Sequence, residues 1–235
     1  MKIRLEQTNN NLSWLKLLAI VTMVFDHTVW GYCVHVDPGN QWYGYLRMPG
    51  RICIPIFSFL IAWNMVYNTH NCMKYIKRLW LLSLISEPVF YVYFQQVWNA
   101  FIPLAIGASL DYSISHYQDD PRSRENQITG LLIFIILGLG FTHSFALVSE
   151  SLLIPFAGLW LRKSNYWYLV IGLLLIPTLN GLHWQYLIMI PVTITLIILC
   201  FTPALKLKRL KFPKWAAYWF YPLHLLVLFG IWGPA

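Results

Sequence analysis

The chain has 235 residues, of which 58% are hydrophobic, 17% aromatic and only 11% charged. A soluble domain carries about 25% charged residues because water must wet its surface, so this composition argues against a soluble protein and predicts an integral membrane protein. The net charge of +8 comes from short basic clusters between apolar runs, a pattern that orients membrane proteins and argues against nucleic-acid binding. Because the apolar character continues from Trp14 to Trp232, we expect one domain over residues 1–235.

Nine apolar runs predict transmembrane helices, each of which needs about 20 mainly apolar residues. Lipid cannot hydrogen-bond to a polypeptide backbone, so we predict helices rather than isolated strands. The predicted fold class is therefore all-α, a polytopic membrane helix bundle of about nine helices. The predicted spans are Trp14–Tyr32, Arg51–Tyr67, Arg78–Phe94, Val97–Ser115, Ile128–Thr142, Phe145–Leu161, Tyr166–Leu182, Trp184–Phe201 and Trp215–Trp232.

The basic residues predict which side of the membrane the amino terminus occupies. An odd number of spans places the two termini on opposite sides. With the amino terminus in the cytoplasm, all of the 17 lysines and arginines except Arg47 and Arg51 fall in cytoplasmic segments, as the positive-inside rule requires. We therefore predict a multi-pass protein of the inner membrane of a bacterium, with a cytoplasmic amino terminus.

No sequence pattern indicates a metal or nucleotide site. The four cysteines have no CxxC spacing, and the seven histidines lack the i, i+4 spacing of a helix metal site. The single GxG at Gly138–Gly140 lacks the strand–turn–helix context that would bind phosphate. We therefore expect no metal cofactor, and cysteines that pack as small apolar side chains.

Asp26 and His27 are adjacent ionisable residues near the outer end of the first predicted span. Ionisable residues cost about 2.5–3.5 kcal/mol each in a membrane helix, so they are candidates for a functional site. A carboxylate and an imidazole suit general acid–base catalysis. Because adjacent helical side chains point about 100° apart, Asp26 could pair with Arg51 and leave His27 free. The structural alternative is a polar pair at the membrane interface.

Three more residues have both a functional and a structural interpretation. Arg51 is one of only two outer basic residues, which favours a buried acidic partner over an interfacial position. Glu87 precedes Pro88 inside a span and either stabilises a helix kink or belongs to a site. His224 follows Pro222 in the last span and either packs inside the bundle or belongs to a site.

Short motifs across most of the chain occur in a characteristic order. They are Leu15–Ile20 with Met23 and Asp26–His27; Gly50–Arg51 with Pro55–Phe57 and Asn64; Arg78–Leu79 and Ser86–Glu87; Asn99 with Phe101 and Gly107; Ile176–Pro177 with Leu179–Asn180; and Phe220–Leu225. This ordered set resembles the TraX family, membrane proteins linked to N-acetylation of conjugative pilin.

The resemblance implies an N-acetyltransferase that moves an acetyl group from acetyl-CoA to the amino terminus of a pilin subunit. It also implies a catalytic arrangement similar to that of larger multi-pass acyltransferases, which carry an essential histidine in a membrane span. The polar positions that carry over from the family are Asp26, His27, Arg51, Glu87, Asn99 and His224.

These residues lead to a mechanistic hypothesis. His27 would remove a proton from the acceptor amine, with Asp26 or Glu87 orienting its ring. Arg51 or Asn99 would stabilise the oxyanion, and a covalent acetyl-histidine is the alternative route. Cytoplasmic basic residues could attract the CoA phosphates, although orienting the protein alone explains them. These residues are Lys74, Lys77, Arg78, Lys208 and Arg209.

Two other function classes remain open at this stage. A small multi-pass transporter would also gather polar residues near a cavity, although the two halves of the sequence show no internal repeat. Such a protein would move a solute without a covalent product. A non-catalytic membrane factor for pilin assembly would bind pilin without acetyl-CoA.

Overall fold

The computed structural model describes residues 2–97, 99–142, 145–174, 189–202, 205–211 and 214–233. Within these ranges the regular elements are helices and no strand occurs, which confirms the all-α prediction. In chain order the elements are α1 (Lys2–His35), α2 (Tyr43–Arg47), a 3₁₀ segment (Met48–Ile52), α3 (Cys53–Trp63), a π segment (Asn64–Asn68), α4 (Cys72–Phe94), α5 (Phe101–Ser115), α6 (Pro121–Thr142), α7 (Phe145–Lys163), α8 (Tyr166–Leu174), α9 (Met189–Phe201) and α10 (Lys214–Trp232).

Each predicted span overlaps one of these helices, but several helices begin earlier in the chain than the apolar runs do. α1 begins at Lys2, α4 at Cys72 and α6 at Pro121, all in polar sequence that hydropathy does not mark. Proline suits the first turn of α6 because its fixed φ is helical and the missing N–H has no partner there. Parts of the two spans predicted between Tyr166 and Phe201, and the motif at residues 176–180, lie outside the described residues.

Two continuous helical stretches are long and apolar enough to cross a bilayer, judged by length and composition. They are Glu6–His35, with 30 residues, and Tyr43–Asn68, with 26. Large apolar side chains also lie exposed along other helices; for example, Leu84, Ile136 and Leu174 are 66%, 65% and 66% exposed. The nine-span topology itself stays a prediction.

The chain forms two compact units. The first consists of Met1–Phe57, Val92–Gln95 and Trp184–Ala235, and the second of Ser58–Tyr91 and Gln96–His183. This division leaves the prediction of one domain untested.

The first unit is built around α1, which packs against α2, the 3₁₀ segment, α9 and α10. A buried asparagine in the amino-terminal half of α1 forms hydrogen bonds with the end of α9 and with the segment that follows it. Asn11 Nδ2 donates to the carbonyl oxygens of Cys200 (3.0 Å) and Leu205 (2.8 Å), and Asn11 Oδ1 accepts from the Leu207 N–H at 3.3 Å. These bonds satisfy a side chain that is only 1% exposed.

The second unit centres on α7, which packs against α5, α6 and α8. Ile106 and Leu110 of α5 and Ile135 of α6 form its buried apolar cluster. At Gly107 a Cβ atom would lie 2.5 Å from the carbonyl oxygen of Ser151, so glycine lets α5 and α7 approach at backbone contact distance.

Candidate functional site

Asp26 of α1 is held by an arginine that the sequence analysis did not include among the site residues. Arg47, the last residue of α2, donates Nε to Asp26 Oδ1 at 2.8 Å and Nη2 to Oδ2 at 2.7 Å. Arg47 Nη1 also donates to Tyr43 Oη, one turn earlier in α2. Two parallel charge-assisted bonds fix both oxygens of the carboxylate. Asp26 and Arg47 are only 6% and 9% exposed, so the pair is buried.

Arg51 is a second cation beside the same carboxylate. Its Nε lies 3.7 Å from Asp26 Oδ1, which is close enough for an ion pair but too long for a hydrogen bond. Within the described residues this buried Nε atom has no hydrogen-bond partner. The hypothesis that Asp26 pairs with Arg51 therefore holds for charge, whereas the hydrogen bonds come from Arg47. One carboxylate faces two guanidinium groups, which leaves a surplus positive charge.

Gly50 explains why this cluster forms next to the 3₁₀ segment. A Cβ atom at this position would lie 2.9 Å from Asp26 Cγ and 2.9 Å from the carbonyl oxygen of Thr22. Only glycine lets the segment lie this close to α1. In the Gly50–Arg51 motif, the glycine thus allows the close backbone approach and the arginine places a charge beside Asp26.

His27 points to a different partner, His224 of α10. His27 Nδ1 and His224 Nε2 are 2.8 Å apart, and the two rings are nearly parallel, with their planes 7° apart and their centroids 5.1 Å apart. His224 Nδ1 lies 3.0 Å from the carbonyl oxygen of Phe220. On the other side, the backbone carbonyl of His27 accepts a hydrogen bond from Tyr93 Oη at 3.2 Å. The rings of His27 and Phe94 also pack at a steep angle, with their centroids 5.2 Å apart and their planes at 72°.

The protons of the two histidines follow from these contacts. A carbonyl oxygen only accepts, so His224 Nδ1 must carry a proton for the Phe220 contact to be a hydrogen bond. In the neutral pair, His224 Nε2 then accepts a proton from His27 Nδ1. His27 Nε2 is left with a lone pair, and within the described residues it has no hydrogen-bond partner. This assignment rests on the hydrogen-bond network, as histidine protons usually must.

The geometry changes one part of the mechanistic hypothesis. Both oxygens of Asp26 are bound by Arg47, so the ring of His27 is held by His224 and not by Asp26. This outcome agrees with the angle between adjacent side chains on a helix, which sends Asp26 and His27 toward different neighbours.

Glu87 and Asn99, both in the second unit, bind each other. Asn99 donates from its backbone N (2.9 Å) and from Nδ2 (2.7 Å) to Glu87 Oε2, and Nδ2 also donates to the carbonyl oxygen of Ser83. Asn99 Oδ1 accepts from the Phe101 N–H at the start of α5. Asn99 is fully buried, so these bonds connect α4 with α5. The catalytic roles of Glu87 and Asn99 stay predictions.

The basic residues predicted to hold CoA phosphates lie exposed in both units. Lys74, Lys77 and Arg78 occupy the first turns of α4. Lys208 and Arg209 lie on the segment after α9, where the Lys208 carbonyl accepts a hydrogen bond from Trp14 Nε1 at 2.8 Å. Exposure leaves these cations accessible, and their proposed role stays a prediction.

The described residues contain no group of three or more His, Cys, Asp or Glu side chains placed to hold a metal ion.

A second buried aspartate–arginine pair, which the sequence analysis missed, lies in the second unit. Arg162 Nη1 and Nη2 donate to the two oxygens of Asp111, both at 2.7 Å. The signal for Arg47 was present in the sequence, since it is the other outer basic residue and precedes Arg51 by four positions. Asp111 carried a signal too, because it is an ionisable residue inside the predicted span Val97–Ser115, but its pairing with Arg162, 51 positions away, could not be predicted.

Comparison with known proteins addresses the resemblance found in the sequence. No match to the chain is found among curated proteins or among solved structures. The family model described as TraX protein matches residues 11–232, nearly the whole chain. The prediction from the ordered motifs is confirmed, and the chain belongs to the TraX family.

Proposed function

We propose that this protein is an N-acetyltransferase of the bacterial inner membrane that moves an acetyl group from acetyl-CoA to an amine, the amino terminus of a pilin subunit. Membership of the TraX family points to a pilin-related protein of conjugation. The observation that carries the proposed chemistry is the 2.8 Å contact between His27 Nδ1 and His224 Nε2.

The histidine pair has the arrangement that a general base needs. A base must be held in one tautomer, with its accepting nitrogen turned toward the reacting group. His224 and the Phe220 carbonyl hold the proton of His27 on Nδ1, so His27 Nε2 accepts the proton in the reaction. The positive charge that results can be shared with His224 through the hydrogen bond. His224 is therefore a positioning residue and His27 the catalytic base.

The reaction balances with these groups alone. The amine nitrogen attacks the thioester carbonyl carbon, so a C–N bond forms while a proton passes from nitrogen to His27 Nε2. The tetrahedral intermediate then loses its C–S bond, and the proton passes from His27 to the sulfur to give the CoA thiol. No oxidant or reductant is needed, and His27 returns to its starting state.

The surplus positive charge beside Asp26 supports an anionic intermediate. Arg47 neutralises Asp26, whereas Arg51 is held near by charge without a hydrogen bond to it. His27 is the next residue after Asp26 on α1. A preorganised cation near a developing oxyanion lowers the barrier because little reorganisation is needed during the reaction. We assign that role to Arg51.

The topology proposed for the enzyme is nine spans with a cytoplasmic amino terminus. The distribution of lysine and arginine supports it, as do the two long apolar stretches and the exposed apolar side chains on several helices. A large apolar surface of this kind is unfavourable in water and favourable in lipid. Acetyl-CoA is cytoplasmic, so its phosphates would meet the basic cytoplasmic segments first.

The test is intact-mass analysis of pilin made in cells with and without this protein. The wild type should add one acetyl group at the pilin amino terminus. His27→Ala should lower transfer by about 10²–10⁴-fold, the usual contribution of a general base. His70, which is exposed, provides the matched control, and His70→Ala should transfer at the wild-type rate.

A conservative variant separates positioning by His224 from a packing role. His224→Gln offers an amide oxygen that can accept the His27 Nδ1 proton, so it should retain more transfer than His224→Ala at equal protein levels. Full activity of His27→Ala would overturn the assignment of the base. Unmodified pilin in the presence of the wild type would instead favour a transporter or an assembly factor.

A further inference from the structure

A cleft in the second unit lies between α4, α5 and α6. Its volume is about 450 Å³. Ile76, Lys77 and Trp80 contribute to it from α4, Tyr112 from α5, and Gly130 from α6. The proposed chemistry at His27 makes no use of this cleft.

The interior of the cleft is mainly apolar. Ile76 and Trp80 meet Leu131 of α6 along its walls. The one indole donor is satisfied, because Trp80 Nε1 donates to Ser109 Oγ at 3.1 Å. An interior of this kind binds hydrocarbon more favourably than a polar chain, since a polar chain would lose its bonds to water.

Two cations are associated with the cleft, Lys77 on its lining and Arg124 through its contacts with two lining residues. Lys77 lines it directly. Arg124 lies over the ring of Tyr112, 4.7 Å from the ring centroid, and donates Nη1 to Gln127 Oε1, which also lines the cleft. Arg124 Nε is buried and has no hydrogen-bond partner among the described residues. That donor and the two positive charges are suited to an anionic oxygen.

We propose that this cleft binds an anionic phospholipid, with the phosphate at Lys77 and Arg124 and an acyl chain along Trp80 and Leu131. Basic pockets between membrane helices on the cytoplasmic side are suited to such headgroups. The inference rests on the membrane orientation given under the proposed function, which places Lys77 and Arg124 at the cytoplasmic ends of their helices. It does not depend on acetyl transfer.

The experiment measures lipid binding to the purified full-length protein by native mass spectrometry in detergent. Phosphatidylglycerol is the anionic probe, and phosphatidylcholine is the zwitterionic comparison. Each cation near a membrane surface contributes about fivefold in affinity. Lys77→Gln and Arg124→Gln should each weaken phosphatidylglycerol binding by that factor, and the double variant by about 30-fold.

Two further variants test whether the lipid binds in the cleft. Lys163 lies over the ring of Tyr168, as Arg124 lies over Tyr112, but Tyr168 does not line the cleft, so Lys163→Gln should bind as the wild type does. Gly130 lines the cleft, and a Cβ atom there would meet no atom within 4 Å, so Gly130→Leu should reduce the space in the cleft and weaken binding.

Equal binding of both lipids, or wild-type binding by the double variant, would overturn the proposal. Displacement of phosphatidylglycerol by acetyl-CoA would also overturn it, because the site would then belong to the acyl donor. Both measurements are made without an acceptor, so a failure here is distinct from a failure to acetylate pilin.

Discussion

Each of the two units contains one buried aspartate held by one arginine through two hydrogen bonds. In the first unit Arg47 binds Asp26, and in the second Arg162 binds Asp111. The donor–acceptor distances are 2.7–2.8 Å in both, and the side chains of the aspartates are only 8% and 1% exposed. By local geometry the two pairs are nearly the same.

The surroundings of the two pairs differ in charge. The described contacts of Asp111 include one arginine, so that pair is balanced. Asp26 faces a second arginine, Arg51, 3.7 Å away, and the next residue on α1 is His27. A balanced buried pair mainly fixes how helices meet, whereas a cluster with surplus charge can act on a ligand. Hydrogen-bond geometry alone therefore does not separate a structural pair from a functional cluster.

The largest expected effect on stability comes from breaking the balanced pair. Arg162→Ala leaves the Asp111 carboxylate buried without its partner, which should lower the free energy of unfolding by about 3–5 kcal/mol. Asp111→Ala should cost less, about 1–3 kcal/mol, because the Arg162 side chain is 27% exposed and can reach water. Unfolding by SDS in mixed micelles measures both.

The double variant Asp111→Ala, Arg162→Ala is the control, since it leaves no buried charge and should be more stable than Arg162→Ala. Acetyl transfer per folded molecule should equal that of the wild type in each. Loss of transfer at full folding would show that this pair also takes part in function.

An intermediate effect is expected where glycine allows close approach to each pair. Gly50→Ala should lower the free energy of unfolding by about 1–3 kcal/mol, because its Cβ would meet the backbone carbonyl of Thr22 at 2.9 Å. At Gly158 the contacts would be with Asp111 Oδ1 and Arg162 Nη1, which are side-chain atoms of the pair and can shift together without breaking its hydrogen bonds. Gly158→Ala should therefore cost less.

The control for these glycine variants is Gly230→Ala, where a Cβ atom meets no atom within 4 Å. The same unfolding assay should show no loss for it. A larger loss at Gly158 than at Gly50 would contradict the view that Gly50 lies against rigid backbone.

The smallest effect on stability is expected at Arg51. Arg51→Gln should change the free energy of unfolding by less than about 1 kcal/mol, as for an exposed ion pair, because its side chain is 29% exposed and makes no hydrogen bond to Asp26. Transfer should nevertheless fall by about 10²-fold, the cost of losing one group that stabilises an oxyanion. Intact-mass time courses on pilin measure it.

Lys211→Gln removes an exposed charge elsewhere in the first unit and should leave both quantities unchanged. If Arg51→Gln instead destabilised the protein and transferred normally, the surplus charge would be structural. The contrast between the two pairs would then disappear.

Much of the helical pattern could be predicted because long apolar runs in a membrane protein leave helix as the favoured structure. The ends were less predictable. Three helices begin in sequence that is rich in polar side chains and that a hydropathy criterion does not assign to a span. These first parts are Lys2–Ser13, Cys72–Lys77 and Pro121–Gln127. The short α2 and the 3₁₀ segment were missed for a related reason, since neither is long or apolar enough to form a predicted span.

Part of the site could also be predicted. Asp26, His27, Arg51 and His224 were singled out as polar residues inside apolar runs, and the structure places each of them in the first unit. Their pairing could not be derived, because His27 and His224 are 197 positions apart and the helical angle leaves many partners open. Arg47 was used to predict the membrane orientation but was not predicted as a site residue, because its contact with Asp26 depends on how α2 packs.

From the sequence alone a helical protein could be predicted, because long apolar runs favour helix, and the regular elements of the described residues are helices. The sequence also determined the family, since the order of motifs is a property of the chain alone. Only the tertiary structure decided which charges meet, because a hydrogen bond between distant residues depends on helix packing to within a few tenths of an ångström. That packing makes His224, and not Asp26, the hydrogen-bond partner of the His27 ring.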